Sequence, residues 1–172
     1  MLSAAYCVAG TLNSKNSFVD DTLYSKEICE AARRHGVDPL LVRAVVYQES
    51  RFKADAVGSD GEVGLMQVLP AGAVADWARW HKRKAPSHAD LMDVEVNLEI
   101  GVWYLARALK RWQDHKEKIP LALIQYNAGE SRAVQWKPQN PTAEVIPGIT
   151  ILSTRRYVTG IMERYSRYLK EK

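Results

Sequence analysis

Glu49 closes a largely apolar run, Val42-Arg43-Ala44-Val45-Val46-Tyr47-Gln48, whose composition is that of a core helix. A carboxylate near a helix C-terminus is disfavoured by the helix dipole. Burial disfavours the charged form further, so both effects push its pKa upward. A glutamic acid held protonated near neutral pH can protonate a leaving oxygen, the step that glycosidic bond cleavage requires. Position alone does not establish this chemistry. A glutamate on the last turn of a helix is more often solvated and paired with a neighbour such as Arg51.

Two short motifs follow Glu49. Gly64-Leu65-Met66-Gln67 lies fifteen to eighteen residues on, and Tyr126-Asn127-Ala128-Gly129 comes much later. Taken singly, the first reads as a packed turn and the second as a helix ending on Asn and Gly. Three carboxylates, Asp55, Asp60 and Glu62, stand on the segment after Glu49. They read as solvated loop charges, with Glu62 the one placed to act if a second acid were used.

The elements that must position these groups are helical. A helix capped by Asp20, Asp21 or Thr22 runs to about His35 and stops at Gly36. Asp38-Pro39 then supplies an N-cap followed by proline at the first helical position, opening a buried helix from Leu40 to about Gln48. Residues 51–63, with Gly58 and Gly61, read as an irregular loop. Pro70 opens a helix through Trp80, and a polar loop surrounds Pro86. Leu98, Val102, Leu105, Leu109 and Trp112 recur at helical spacing. Pro120 opens a short helix ending near Asn127-Ala128-Gly129, and a proline-rich connection spans 137–149. Tyr157, Ile161, Tyr165 and Tyr168 mark a last amphipathic helix. β-alternation, internal repeats and low-complexity tracts are missing from this pattern, so the expected fold class is all-α, one helical domain over residues 21–172.

The 172 residues suffice for one core without metals or disulfides. Aromatic usage favours Tyr (8) and Trp (5) over Phe (2), a tilt that suits a sugar cleft and equally a well-packed core. The net charge of +4 would attract any polyanion. The basic residues are scattered, and the one dense run, Lys82-Arg83-Lys84, reads as a solvated loop. No helix presents a basic face with base-reading side chains, so nucleic acid is not an expected partner. Cys7 and Cys29 lack metal-site or redox spacing, and the sequence leaves their pairing open. No stretch is long enough for a transmembrane helix. Residues 1–20 read as a tail or the remnant of a secretory leader, since Met1 to Leu12 are small and apolar but lack a positive n-region.

In order, Glu49-Ser50, Gly64-Leu65-Met66-Gln67, Tyr126-Asn127-Ala128-Gly129 and Tyr157-Val158 resemble the soluble lytic transglycosylase family in its small catalytic-domain form. Val37-Asp38-Pro39, Asn97 and Gly101-Val102-Trp103-Tyr104-Leu105 also match, so the resemblance covers about residues 22–170. It implies a lysozyme-like helical domain that cleaves the β-1,4 bond between N-acetylmuramic acid and N-acetylglucosamine in peptidoglycan. The product would be a 1,6-anhydromuramyl end, with Glu49 as acid and then base. Ser50 would support the acid, Met66 and Gln67 would line the cleft, Tyr126 and Asn127 would face the scissile sugar, and Tyr157 would approach the carboxylate. The resemblance calls for no metal or cofactor. It implies a monomer in the periplasm or cell envelope, in some cases attached to secretion, conjugation or phage machinery.

Two positions depart from the family pattern. Ser153 stands where an acidic residue often precedes Thr-Arg, and Ser59, beside Gly58, is the nearest substitute for a serine common after the catalytic pair. Two alternatives are set against this reading: a hydrolytic muramidase using a second carboxylate such as Glu62, and a non-catalytic glycan-binding or assembly subunit.

Overall fold

Asp38 begins the element on which the rest is hung. Its Oδ1 accepts the Leu40 N–H at 2.8 Å, and Pro39 occupies the first helical position, so α2 (Pro39–Ser50) starts where both residues predispose it to. In this computed structural model, which describes residues 19–171, Leu41, Val42, Ala44, Val45 and Val46 of α2 are fully or almost fully buried. The segment expected to be a tail or leader remnant lies almost wholly outside the described residues, as does Cys7.

Before α2, α1 (Ser25–His35) ends at Gly36 in a left-handed conformation (φ 67°), with the Val37 N–H returning to Ala32 O at 2.9 Å. This helix starts later than its candidate caps suggest, because Asp20 closes a turn on Thr22 instead. Pro70 opens a single π-turn (Pro70–Val74) that runs into α3 (Ala75–His81). The long helix α4 (Val94–Arg111) is capped by Asp93, whose Oδ1 accepts the N–H groups of Glu95 and Val96. Next come α5 (Lys118–Ala128), α6 (Glu130–Trp136) and α7 (Leu152–Lys170). Pro120 falls inside the first turn of α5, where a missing N–H costs nothing. Helix α6 has no counterpart in the hydrophobic spacing of the sequence.

Among the described residues the structure has seven α-helices and no strand; Val63 makes isolated antiparallel bridges to Val57 and Val68 in the loop after α2. The all-α class is therefore the one observed. Helix α2 packs on α1 and α7, and α4 packs on α1 and α5. Two hydrogen bonds tie α2 to the antiparallel α7. Tyr165 Oη donates to Asp38 Oδ2 at 2.8 Å at one end, and Tyr157 Oη donates to Glu49 Oε1 at 2.5 Å at the other. Farther along α7, Tyr168 Oη donates to Asp21 Oδ2 at 2.6 Å and fastens the segment before α1.

Candidate active site

Glu49 lies in the last turn of α2, half-buried, on the wall of a cleft of about 380 Å³. The chain leaves α2 through two consecutive left-handed residues, Arg51 (φ 51°) and Phe52 (φ 64°). Neither type favours that region. Phe52 is held there by being buried in the core. Ser50, 7% exposed, donates from Oγ to Leu65 O at 2.8 Å, which brings the loop carrying the Gly-Leu-Met-Gln motif against the end of the acid's helix.

Every residue of that motif has a physical reason. Gly64 has a positive φ (79°), and a Cβ there would stand 2.2 Å from Asn97 Nδ2 and 2.6 Å from Leu91 O. Leu65 is core. Met66 is fully buried, and its side chain fits against Gly101, where a Cβ would meet Sδ at 2.5 Å. Gln67, also left-handed (φ 46°), lines the cleft, and its Nε2 donates to Ala56 O and Gly64 O. Asn97, buried on α4, makes three hydrogen bonds, two of them to the loop. Its Nδ2 donates to Val63 O (2.8 Å) and Leu91 O (2.7 Å), and its Oδ1 accepts the Met66 N–H (2.8 Å).

Glu49, Ser59, Gln67, Tyr126 and Asn127 are brought together on one cleft. Ser50 and Met66 are placed beneath it, where they position Glu49 and Gln67 rather than forming the surface. Tyr157 is nearly buried and reaches Glu49 from α7. Tyr126 directs its hydroxyl to Met66 O at 2.8 Å, not to the acid. Asp55 and Asp60 are exposed and outside the lining, as solvated loop charges should be. Glu62 is not: it is half-buried and lines the cleft with Glu49. Tyr104 and Gln125, to which the sequence assigns no separate role, also line it. Tyr104 was visible only as part of a matching helix motif, and Gln125, one residue before the Tyr-Asn pair, carried no signal of its own.

The electrostatics of Glu49 are those of a proton donor. Burial raises its pKa from the ordinary 4.5 to about 7, the Tyr157 hydrogen bond opposes the rise, and the negative charge of Glu62 adds to it. Burial and the neighbouring carboxylate hold the hydroxyls of Tyr157 and Tyr126 well above the usual tyrosine range, so both remain donors. A group with pKa near neutrality can give a proton and take one back. No group of three or more His, Cys, Asp or Glu side chains suited to a metal occurs among the described residues.

Known proteins resemble this chain in sequence and in fold. The family model described as "Transglycosylase SLT domain" matches residues 26–146. The membrane-bound lytic murein transglycosylase E of Buchnera aphidicola subsp. Acyrthosiphon pisum is 32% identical over 110 residues, covering 62% of this chain and 49% of that protein. The membrane-bound lytic murein transglycosylase F of Desulfosudis oleivorans is 35% identical over 103 residues, covering 58% of this chain and 20% of that protein. Thus the chain spans half or less of these two relatives' length. Among solved structures, an inactive mutant of lytic transglycosylase Slt from Pseudomonas aeruginosa superposes with a TM-score of 0.75 at 26% identity, covering 86% of this chain and 24% of that one. The 70 kDa soluble lytic transglycosylase of Escherichia coli gives a TM-score of 0.73 at 22% identity over 86% of this chain and 24% of its own, a likeness of fold. With the family model spanning most of the helical domain, the chain belongs to the transglycosylase SLT domain family.

Proposed function

We propose that this domain is a peptidoglycan lytic transglycosylase whose single acid and base is Glu49. One observation carries the reading: a half-buried glutamic acid, pushed to about pH 7, stands in a sugar-sized cleft with Tyr157 fixing its orientation. The family membership and the names of the relatives support it.

In this mechanism the Glu49 carboxyl donates its proton to the glycosidic oxygen as the bond from that oxygen to C1 of N-acetylmuramic acid breaks. The carbonyl oxygen of the sugar's own 2-acetamido group bonds to C1, as in other substrate-assisted glycosidases. The C6 hydroxyl then displaces it, closing the 1,6-anhydro ring and returning its proton to Glu49. No water is consumed, and the enzyme ends in its starting state. Gln67, Tyr126, Asn127 and Ser59 hold the glycan, and Tyr157 orients the carboxyl through the cycle. Cleavage of the wall polymer requires an envelope location, which agrees with the membrane-bound relatives; no helix among the described residues is long and apolar enough to cross a membrane.

Digesting purified peptidoglycan with the protein and with Glu49→Gln, then weighing the released fragments by mass spectrometry, tests the reading. Anhydro-muramyl ends that disappear with the variant support it. Reducing ends, one water heavier, would make the enzyme a hydrolase with Glu62 as the group that activates water.

A further inference from the structure

Gly58 and Glu62 share one small volume. A Cβ at Gly58 would lie 2.2 Å from Glu62 Oε2, closer than real contacts come, and 3.0 Å from its Cδ. The carboxylate of Glu62 thus occupies the space that any other residue at 58 would fill. It is held there from within the loop: Oε2 accepts the Asp60 N–H at 3.1 Å, and the Gly58 N–H donates to Glu62 O at 2.8 Å. The same Cβ would lie 2.9 Å from Gln67 Oε1, so the seat adjoins the cleft-lining glutamine. No cation within salt-bridge distance of Glu62 is found among the described residues. An anchored carboxylate without a cationic partner therefore looks into the cleft that holds the acid.

From this geometry we propose that Glu62, seated in the space left by Gly58, is a second functional carboxylate of the cleft. It receives the 2-acetamido N–H of the reacting sugar and stabilises the positive charge that forms there. The inference rests on the transglycosylase reading. When the acetamido oxygen bonds to C1, the departing alkoxide carries away the proton from Glu49, and the sugar is left as an oxazolinium cation with its charge shared by the ring nitrogen. An anion fixed beside that nitrogen stabilises the cation more than the neutral reactant, which is how a preorganised charge accelerates a reaction. When the C6 hydroxyl closes the ring, its proton goes to Glu49 and Glu62 leaves the cycle unchanged. A base that activates water would be counterproductive in a reaction whose nucleophile is the substrate's own hydroxyl. Glu49 is faced by Tyr157 from α7, Tyr126 from α5 and Glu62 from the loop, so Glu62 also helps keep the acid protonated before the reaction begins.

The test uses Glu62→Gln, Gly58→Ala and the double variant of the whole chain, with release of anhydro-muramyl fragments as the readout. Glu62→Gln should lower kcat by on the order of ten- to a hundredfold with little change in KM, the mark of an interaction made in the transition state. The alkaline limb of its pH profile should move to lower pH, because a like charge beside Glu49 is gone. Gly58 has no positive φ, so alanine fits the backbone and acts by displacing the Glu62 carboxylate and, beside it, the Gln67 amide. Its loss in kcat should be at least that of Glu62→Gln, and the double variant should lose no more than Gly58→Ala alone, because the carboxylate is already displaced there. Asp55→Asn, exposed on the same loop, should change neither rate nor profile, and thermal melts show whether each variant is folded. Glu62→Gln with wild-type kcat and profile would overturn the inference and leave the reading of Glu49 intact. Reducing ends that vanish in Glu62→Gln would also overturn it, in favour of water activation. Absence of anhydro ends from the wild-type protein would overturn the transglycosylase reading itself, and this inference with it.

Discussion

Tyr157 donates to Glu49 across 108 positions of sequence, and this bond is one of two rungs between the antiparallel helices α2 and α7. The acid is therefore oriented by the same pairing that holds the domain's central helix to its last one. Removing the hydroxyl in Tyr157→Phe removes an influence that lowers the pKa of Glu49. The pH optimum of cleavage should move upward, with a lower maximal rate, in a kcat/KM profile. An unchanged profile would show that the two groups do not interact in solution.

Glu49 itself should cost stability. Its pKa is about 7 in the folded chain against 4.5 ordinarily, so the folded state holds the proton more tightly. Below about pH 4.5 both states are protonated and there is no penalty. As the pH rises toward 7, the unfolded chain ionises freely while the folded one resists, and the penalty is complete above that. Glu49→Gln should therefore be inactive yet more stable at pH 8, by up to about 3 kcal/mol, with the gain fading by pH 4. Melting temperatures measured across that range decide it.

The opposite sign applies to Glu99 on α4, which bonds His35 and Arg34 of α1 at 3.0 Å each. The His35 hydrogen bond, with Arg34 beside it, lowers its pKa to about 2. Its contribution is fully present above about pH 4.5 and lost as the pH falls toward 2. Glu99→Gln should destabilise the protein by about 1 kcal/mol at pH 7, given its partial exposure. Denaturation at pH 2 should no longer distinguish the variant from wild type.

Asn97→Ala should be among the most damaging single changes outside the cleft. It leaves the buried Met66 N–H and the Leu91 carbonyl without partners, and the Val63 carbonyl with the Val68 N–H alone. Each orphaned group costs about 1 to 3 kcal/mol, so a total of about 2 to 5 kcal/mol is expected in urea denaturation. Loss of activity should accompany it, since Gln67 follows Met66 directly.

The parts of this molecule that were legible in its sequence are those set by local chemistry. Asp38-Pro39 announces α2, Gly36 ends α1, and the spacing of Leu98, Val102 and Leu105 declares α4. Helix α6 was hidden because it is only Glu130–Trp136, buries Ala133 and Trp136 alone, and begins after Gly129, whose positive φ (85°) redirects the chain where the motif reads as a terminus. In the cleft, Glu49 and Gln67 were found through their motifs. The burial of Ser50 and Met66 was not, because it depends on Leu65 and Gly101 arriving from elsewhere in the chain. Glu62 stands out in the sequence as a candidate second carboxylate but reads there as a solvated loop charge, since its environment is made by Gly58 four residues earlier, and an absent side chain leaves no pattern to read.

The rung between Glu49 and Tyr157 also bears on when the molecule becomes competent. During synthesis the acid emerges early, followed by its loop, yet both wait for α4 to deliver Asn97 and for the last helix to deliver Tyr157. Contacts this distant in the chain close late, after the loop entropy between them has been overcome. Partial chains released before α7 would carry the acid without the hydroxyl that aims it.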